Sequence, residues 1–279
     1  MSERALSLEL NKNIHAKKAS ELSRNGILKN KRAFQCSDTN CRIDLTCTNW
    51  NKSGKKYFFT PSSKEELHIL GCTAISTNEA SEQYKKEADG AKSTIKKNGL
   101  IKMTESINKN TTDIKAKTED LSANDNFINT NSSTTNKIRS ESRQLYSIPS
   151  FVELYKDTAI NNESQFILID KSKISLNELF VKSKSTHFTN NKIRIFFGNA
   201  LIKTASFGEN MLQIEFLNSK LPKIYSNINK LSARPLTSKV LSYLDKNKYA
   251  FVYYRGKLIG NGTKFNSYND KVYKDIFIK

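Results

Sequence analysis

Residues 76–147 offer a folding core almost nothing. Ser, Thr and Asn make up 28 of these 72 residues, and the aromatics are limited to Tyr84, Phe127 and Tyr146. The run "NTNSSTTNK" has no apolar side chain at all. Burial cannot offset the ordering entropy of such a segment. It reads as a disordered polar linker, with room for a short helix around "SEQYKKEADGAKSTIKK". A 279-residue chain interrupted in this way is not expected to build one continuous core. The expected organisation is a module at 1–75, the linker at 76–147 and a second module at 148–279.

Composition agrees with that division. Hydrophobic residues make up 37% of the chain, against roughly 45–50% for an ordinary globular protein. Lys and Arg number 46 and Asp and Glu 27, a net charge of +19. The excess is uneven. Residues 1–75 hold 13 basic and 7 acidic groups, residues 76–147 hold 12 and 10, and residues 148–279 hold 21 and 10. The second module therefore carries +11 on a part that should fold, where a basic tail would have put it in the linker. Charge of this sign favours anionic partners, nucleic acid first. The opening "MSERALSLELNKN" has no apolar run of signal-peptide length, and no stretch approaches a membrane-spanning run. A cytoplasmic protein without a membrane partner is expected, and heavy use of Lys, Asn, Ile and Phe points to a bacterial, phage or mobile-element origin.

The first module concentrates soft ligands. Three of the four cysteines lie in "AFQCSDTNCRIDLTC", and the fourth closes "KEELHILGC", four residues after His68. In a reducing compartment such clusters mean metal more often than disulfide. Cys36 and Cys41 flank a turn rich in Ser, Asp, Thr and Asn, a natural knuckle. His68 and Cys72 are four positions apart. In "TPSSKEELHILGC" Ser62 or Ser63 can cap a helix, Glu65 or Glu66 can close a capping box, and Gly71 can stop it. A helix would point His68 and Cys72 the same way. One knuckle and one helix end make a closed tetrahedral Zn2+ site, structural because four protein ligands leave no position for water. Cys47 is a spare that could replace Cys36 or Cys41, or be buried.

"ALSLELNKNIHAKKASE", then "AFQCSDTNCRIDLTC" and a closing "HILGC", resemble the N-terminal region of the competence protein CoiA family over about residues 5–75. That family runs as a short strand, a turn, a cysteine pair, an HFAH-like stretch and a final cysteine. This chain has "YFFTPSS" where HFAH would stand, its histidine comes later as His68, and its cysteine pair is wider. The resemblance implies a DNA-related setting such as uptake, recombination or mobile elements, and no enzymatic activity.

The second module carries strand signals. "QFILID" is a short apolar run. "KIRIFFGNALIKTASFGENMLQIEFLN" is two β-rich runs around a Gly-containing turn. "TSKVLSYLDKN" is helical, with Val240, Leu241 and Leu244 as its apolar stripe. "YAFVYYRGKLI" and "KVYKDIFIK" are strands again. Strand, strand, strand, helix, strand, strand is the order of a five-stranded OB-fold-like barrel; a small α+β sheet of other topology is the alternative. The fold class is thus α+β. Alternation puts Ile193, Ile195, Leu201, Val252 and Tyr254 in the core. It leaves Arg194, Phe196, Lys203, Tyr253, Arg255 and Lys257 outside. Aromatics interleaved with cations suit single-stranded nucleic acid, with rings stacking on bases and cations tracking phosphates.

The expected function is a non-enzymatic nucleic-acid-binding accessory protein, with single-stranded DNA favoured. Two other classes compete. One is a protein-interaction adaptor of a phage or mobile element, docking through the N-terminal module. The other is a nuclease-related enzyme, for which the scattered carboxylates Asp170, Glu209 and Glu215 offer no cluster. "RGKLIGNG" is no phosphate loop, since GKS/T and a following helix are absent.

Overall fold

The computed structural model describes residues 2–53, 56–63, 68–69, 71–105, 142–185, 187–244 and 249–279. It is an α+β protein built mostly from three sheets. Among the described residues no helix is long and apolar enough to cross a membrane.

The N-terminal sheet uses β1 (Arg4–Ser7), β2 (Lys12–His15), β3 (Phe34–Cys36), β4 (Asp44–Cys47) and β5 (Phe59–Pro61), with helix α1 (Ala16–Arg24) following β2. Its order is β2-β1-β3-β4-β5, antiparallel throughout. Phe34, Leu45 and Phe59 are fully buried beneath Ala16 and Ala19 of α1. The Phe34 and Phe59 rings lie 4.9 Å apart. Small residues on α1 let its backbone approach these rings closely.

Half of the predicted linker is folded. Helix α2 runs Thr77–Lys96, 20 residues, and opens with a capping box between Ser76 and Glu79. Strand β6 (Leu100–Met103) pairs in parallel with β7 (Ser142–Leu145) and with β8 (Phe166–Ile169). β8 forms a hairpin with β9 (Ser172–Ser175), and the sheet order is β7-β6-β8-β9. A boundary at 147 therefore cuts through this sheet, because β6 lies between β7 and β8. Residues 106–141, the most polar part of the predicted linker, lie outside the described residues. The short helix expected around 81–97 is α2, longer than expected because Ala80, Ala88 and Ala91 supply a narrow buried stripe that an aromatic count does not register. Helix α3 (Ile148–Lys156) packs on α2. The buried Glu87 of α2 accepts from the Tyr146 amide at 2.6 Å and from the Ser147 and Ser150 hydroxyls at 2.5 Å each. Helix α4 (Leu176–Leu179) then leads into the third sheet.

That sheet contains β10 (Phe180–Lys182), β11 (Arg194–Thr204), β12 (Met211–Phe216), β13 (Ile224–Asn227), β14 (Tyr249–Ile259), β15 (Lys264–Ser267) and β16 (Ile276–Ile278). Helices α5 (Ile228–Ser232) and α6 (Val240–Leu244) lie between β13 and β14. The main path is β13-β12-β11-β14-β15, with β10 parallel to β11 and β16 on β14. β11 divides its pairing. Arg194 to Leu201 face β14, whereas Ala200 to Thr204 face β12. The strand so bends a sheet round into a nearly closed barrel. Gly198 sits at the bend, where a Cβ would lie 2.1 Å from the Ser183 hydroxyl.

The strands filling these places differ from those expected. "QFILID" is β8 and belongs to the four-stranded sheet. The third and fifth strands of the barrel path are β13 and β15, which the sequence did not announce. "KVYKDIFIK" contributes only the short β16 after a 3-10 turn. Of the expected helix, α6 buries Val240 but leaves Leu241 exposed.

Two cores meet on this sheet. One fills the barrel with Phe196, Ile202, Leu212, Ile214, Val252 and Tyr254. The other lies between the outer side of β11–β14 and the four-stranded sheet with α3, and holds Ile195, Tyr253, Ile101, Phe151, Leu154 and Ile167.

Candidate metal centre

Cys36 ends β3, and its amide donates to the Ile43 carbonyl at 2.9 Å, closing the hairpin that β4 continues. Between them, the Asp38 carboxylate accepts from the Asn40 amide at 2.9 Å and the Asp38 carbonyl accepts from the Cys41 amide at 3.1 Å. This Asx-type turn aims Cys41 back under the sheet. The second pair comes from irregular chain. His68 and Ile69 are not helical, and the Cys72 amide donates to the Ile69 carbonyl at 3.1 Å across a turn that needs Gly71 at φ 79°. Residues 64–67 and 70 of the expected helix lie outside the described residues. A turn thus does what the helix was expected to do.

Cys36, Cys41, His68 and Cys72 converge, with one donor atom from each within 4.8 Å of every other. Cys36 Sγ lies 3.5 Å from Cys72 Sγ. His68 Nδ1 lies 3.5 Å from Cys41 Sγ and 3.4 Å from Cys72 Sγ. A tetrahedron with Zn–S arms of 2.3 Å and a Zn–N arm near 2.05 Å has S···S edges of about 3.8 Å and S···N edges of about 3.5 Å. The observed spacing fits those edges, and it is far too long for a disulfide at about 2.05 Å. All four residues are buried, His68 at 7% exposure.

Three thiols this close cannot all ionise on their own. Hydrogen bonds from Cys36 and then Cys72 hold the Cys41 thiol far below the ordinary thiol range. The same sharing with Cys41 pushes Cys36 up to about 12, and hydrogen bonds with Cys36 and Cys41 push Cys72 up as well. A bound dication resolves this conflict, since thiolates are its ligands and their protons leave on binding.

Outer groups brace the donors. Asp38 also accepts from the Thr73 amide at 2.8 Å and hydroxyl at 3.1 Å, tying the knuckle to the second loop. The Ala74 amide points at Cys72 Sγ at 3.4 Å. Gln83 of α2 donates to the His68 carbonyl at 2.8 Å. Asp38 was legible only as a turn residue; its cross-link to Thr73 depends on a contact 35 positions away. Cys47 is not part of the group. It lies on β4, facing the core, with Sγ 3.9 Å from the Ala16 carbonyl, and burial pushes its thiol up to about 11. Among the described residues this is the one grouping of three or more His, Cys, Asp and Glu side chains at metal-binding distance.

The six residues expected on a nucleic-acid face are not brought together. Arg194 is buried and its guanidinium donates to the Ile193 carbonyl at 2.9 Å. Phe196 packs inside the barrel against Phe265, with centroids 5.0 Å apart. Tyr253 stacks on Phe197 and Phe277 in the other core. Arg255 is buried in an ion pair with Asp275. Only Lys203 and Lys257 reach solvent. The expectation of an exposed side failed because β11 and β14 have a core on each side. Comparison with protein-family models, curated proteins and solved structures returns no match.

Proposed function

We propose that this protein is a non-enzymatic nucleic-acid-binding accessory protein, favouring single strands, whose N-terminal module is knit by a structural zinc ion. The observation that carries the nucleic-acid reading is the barrel path in the basic half of the chain. Numbered in chain order among themselves, the five strands of that path run third, second, first, fourth, fifth, with helices between the third and fourth. A first strand shared between the second and the fourth is the organisation of an OB-fold, a barrel that repeatedly binds oligonucleotides. Residues 148–279 carry 21 basic and 10 acidic groups, the electrostatic footprint that phosphate backbones require.

Zinc would be held by the thiolates of Cys36, Cys41 and Cys72 and by Nδ1 of His68. With four protein ligands it supplies cross-linking energy rather than Lewis-acid chemistry. It would join the β3–β4 knuckle to the 68–72 loop, which Gln83 ties to α2. The resemblance of residues 5–75 to the competence protein CoiA family supports a DNA-related setting in the cytoplasm.

Two measurements test the reading. Full-length protein purified without chelator should contain about one zinc per chain, and Cys72→Ser should lose it. Fluorescence anisotropy should show binding to a labelled oligo(dT) that weakens steeply between 50 and 200 mM salt, in the manner of phosphate contacts. Zinc-free protein that melts like the loaded form would remove the structural role. Absence of salt-dependent binding to any single- or double-stranded DNA or RNA would remove the nucleic-acid role and favour a protein-docking adaptor.

A further inference from the structure

We infer that the outer side of β11–β12–β13 is the strand-binding surface, with Phe207 and Tyr225 stacking on bases and Lys203 and Lys223 holding phosphates. This rests on the nucleic-acid reading above and gives it a site.

The placement follows from the register. Ala200 and Ile202 of β11, Leu212 and Ile214 of β12, and Ile224 of β13 all point into the barrel core. Their alternates point out. Lys203 is paired with Gln213, and Gln213 with Tyr225. The second core, which covers the first half of β11, includes none of these alternates. Gln213 at the centre is 6% exposed and donates from Nε2 to Glu215 Oε2 at 3.0 Å, so this face opens to solvent around it, at Lys203, Glu215 and Tyr225.

The side chains there are unusual for an idle surface. Phe207, in the β11–β12 turn, is 64% exposed, the largest value among the exposed large hydrophobics. Among the described residues its ring neighbour is Tyr225, with centroids 4.9 Å apart and planes at 59°. Tyr249, 62% exposed, stands opposite Leu201 at the β14 edge of the same surface. Scattered apolar side chains need no explanation, but aromatics gathered beside cations do. Lys203 and Lys223 flank Glu215, each with Nζ 3.8 Å from the same carboxylate oxygen. That is beyond a charge-assisted hydrogen bond, and such exposed pairs contribute little. A phosphate can therefore replace the carboxylate at small loss. Residues 201–230 hold four lysines and two glutamates, so charge complementarity selects an anionic partner, and flat rings select unpaired bases.

The test uses the full chain and a fluorescein-labelled oligo(dT) in anisotropy titrations. Phe207→Ala and Tyr225→Ala should each weaken binding about 5- to 150-fold, the range for losing one base stack, with the salt slope unchanged. Lys203→Ala and Lys223→Ala should each lower the slope of log K against log salt by about 0.7. Glu215→Gln should tighten binding. Phe166→Ala is the control; it removes another exposed ring, one under Lys173 Nζ at 4.6 Å on a different sheet, and should bind like the unaltered protein. All these positions are solvent-accessible, so matching melting curves will establish that the variants fold. Wild-type affinity in the four Ala variants, or an equal loss in Phe166→Ala, overturns this site while leaving nucleic-acid binding intact. If the unaltered chain binds no nucleic acid, the broader reading fails and this site with it.

Discussion

Replacing Arg255 with Ala should unfold the protein more easily and leave the proposed nucleic-acid binding unchanged. The side chain is 1% exposed and that of Asp275 is 0% exposed. Arg255 Nε donates to Asp275 Oδ1 at 2.8 Å, Nη1 donates to the Tyr146 carbonyl at 2.7 Å, and the guanidinium lies 4.9 Å from the Tyr268 ring centre. Asp275 also accepts from the Asn269 amide at 2.5 Å and its side-chain nitrogen at 2.6 Å. The pair thus joins β14, the 3-10 turn before β16 and the end of β7. Truncating the arginine leaves a buried carboxylate with no cation, a change of about 3–5 kcal/mol. Domains of ordinary stability hold about 5–15 kcal/mol in all. With a urea slope of about 3 kcal/mol/M, the midpoint should fall by about 1–1.7 M, read by circular dichroism. Arg255→Met with Asp275→Leu removes both charges together. It should lose less than the sum of the single changes, by about 0.5–3 kcal/mol. A variant Arg255→Ala that melts within about 0.5 kcal/mol of the unaltered chain, yet shows a smaller salt slope in oligonucleotide binding, would refute this reasoning. It would put the guanidinium on the surface.

Cys47→Ala should leave the metal content unchanged, because Cys47 lies outside the four-ligand group; metal analysis beside Cys72→Ser checks this. Alkaline pH should destabilise the fold. Burial raises the Cys47 thiol from 9.0 to about 11 and the Tyr268 phenol from 10.0 to about 12, so the unfolded chain ionises first and stability falls as pH climbs from about 9 to 12, a loss readable by melting at successive pH values. Glu87→Ala should cost about 1–3 kcal/mol by orphaning the Tyr146 amide and two serine hydroxyls, and Glu87→Gln should recover part of that loss in urea melts.

The Cys/His group was legible because its signal is chemical and nearly local. Soft side chains 5 and 4 positions apart can meet through almost any turn, so the group forms although His68 stands on irregular chain rather than on a helix. The barrel was less legible. β11, β12 and β14 announced themselves as long β-rich runs. β13 and β15 are four-residue strands, "IYSN" and "KFNS", whose identity comes from pairing with longer neighbours and not from their own apolar pattern. "QFILID" is as strand-like as either and pairs elsewhere, because β6 supplies it with a parallel partner 66 positions upstream. Local propensity finds strands; partners are set by contacts that no short window contains.

The expectation of an exposed face on β11 and β14 failed for the same reason. Alternation along a strand separates two sides but does not say that one is wet. In β14, Tyr254 faces the barrel core and Tyr253 the second core, so both alternates are buried. β11 obeys this rule only while it runs beside β14. From Ala200 it also pairs with β12, beyond Leu201 it leaves β14 and the second core behind, and its outward side reaches solvent at Lys203. Alternation therefore regains its ordinary meaning over Ala200 to Thr204 and in the strands that pair onward from it. Arg194 and Lys203 share one strand and one charge, yet only Lys203 stands where a phosphate can approach. What separates them is the bend in β11 and the layer that ends at it.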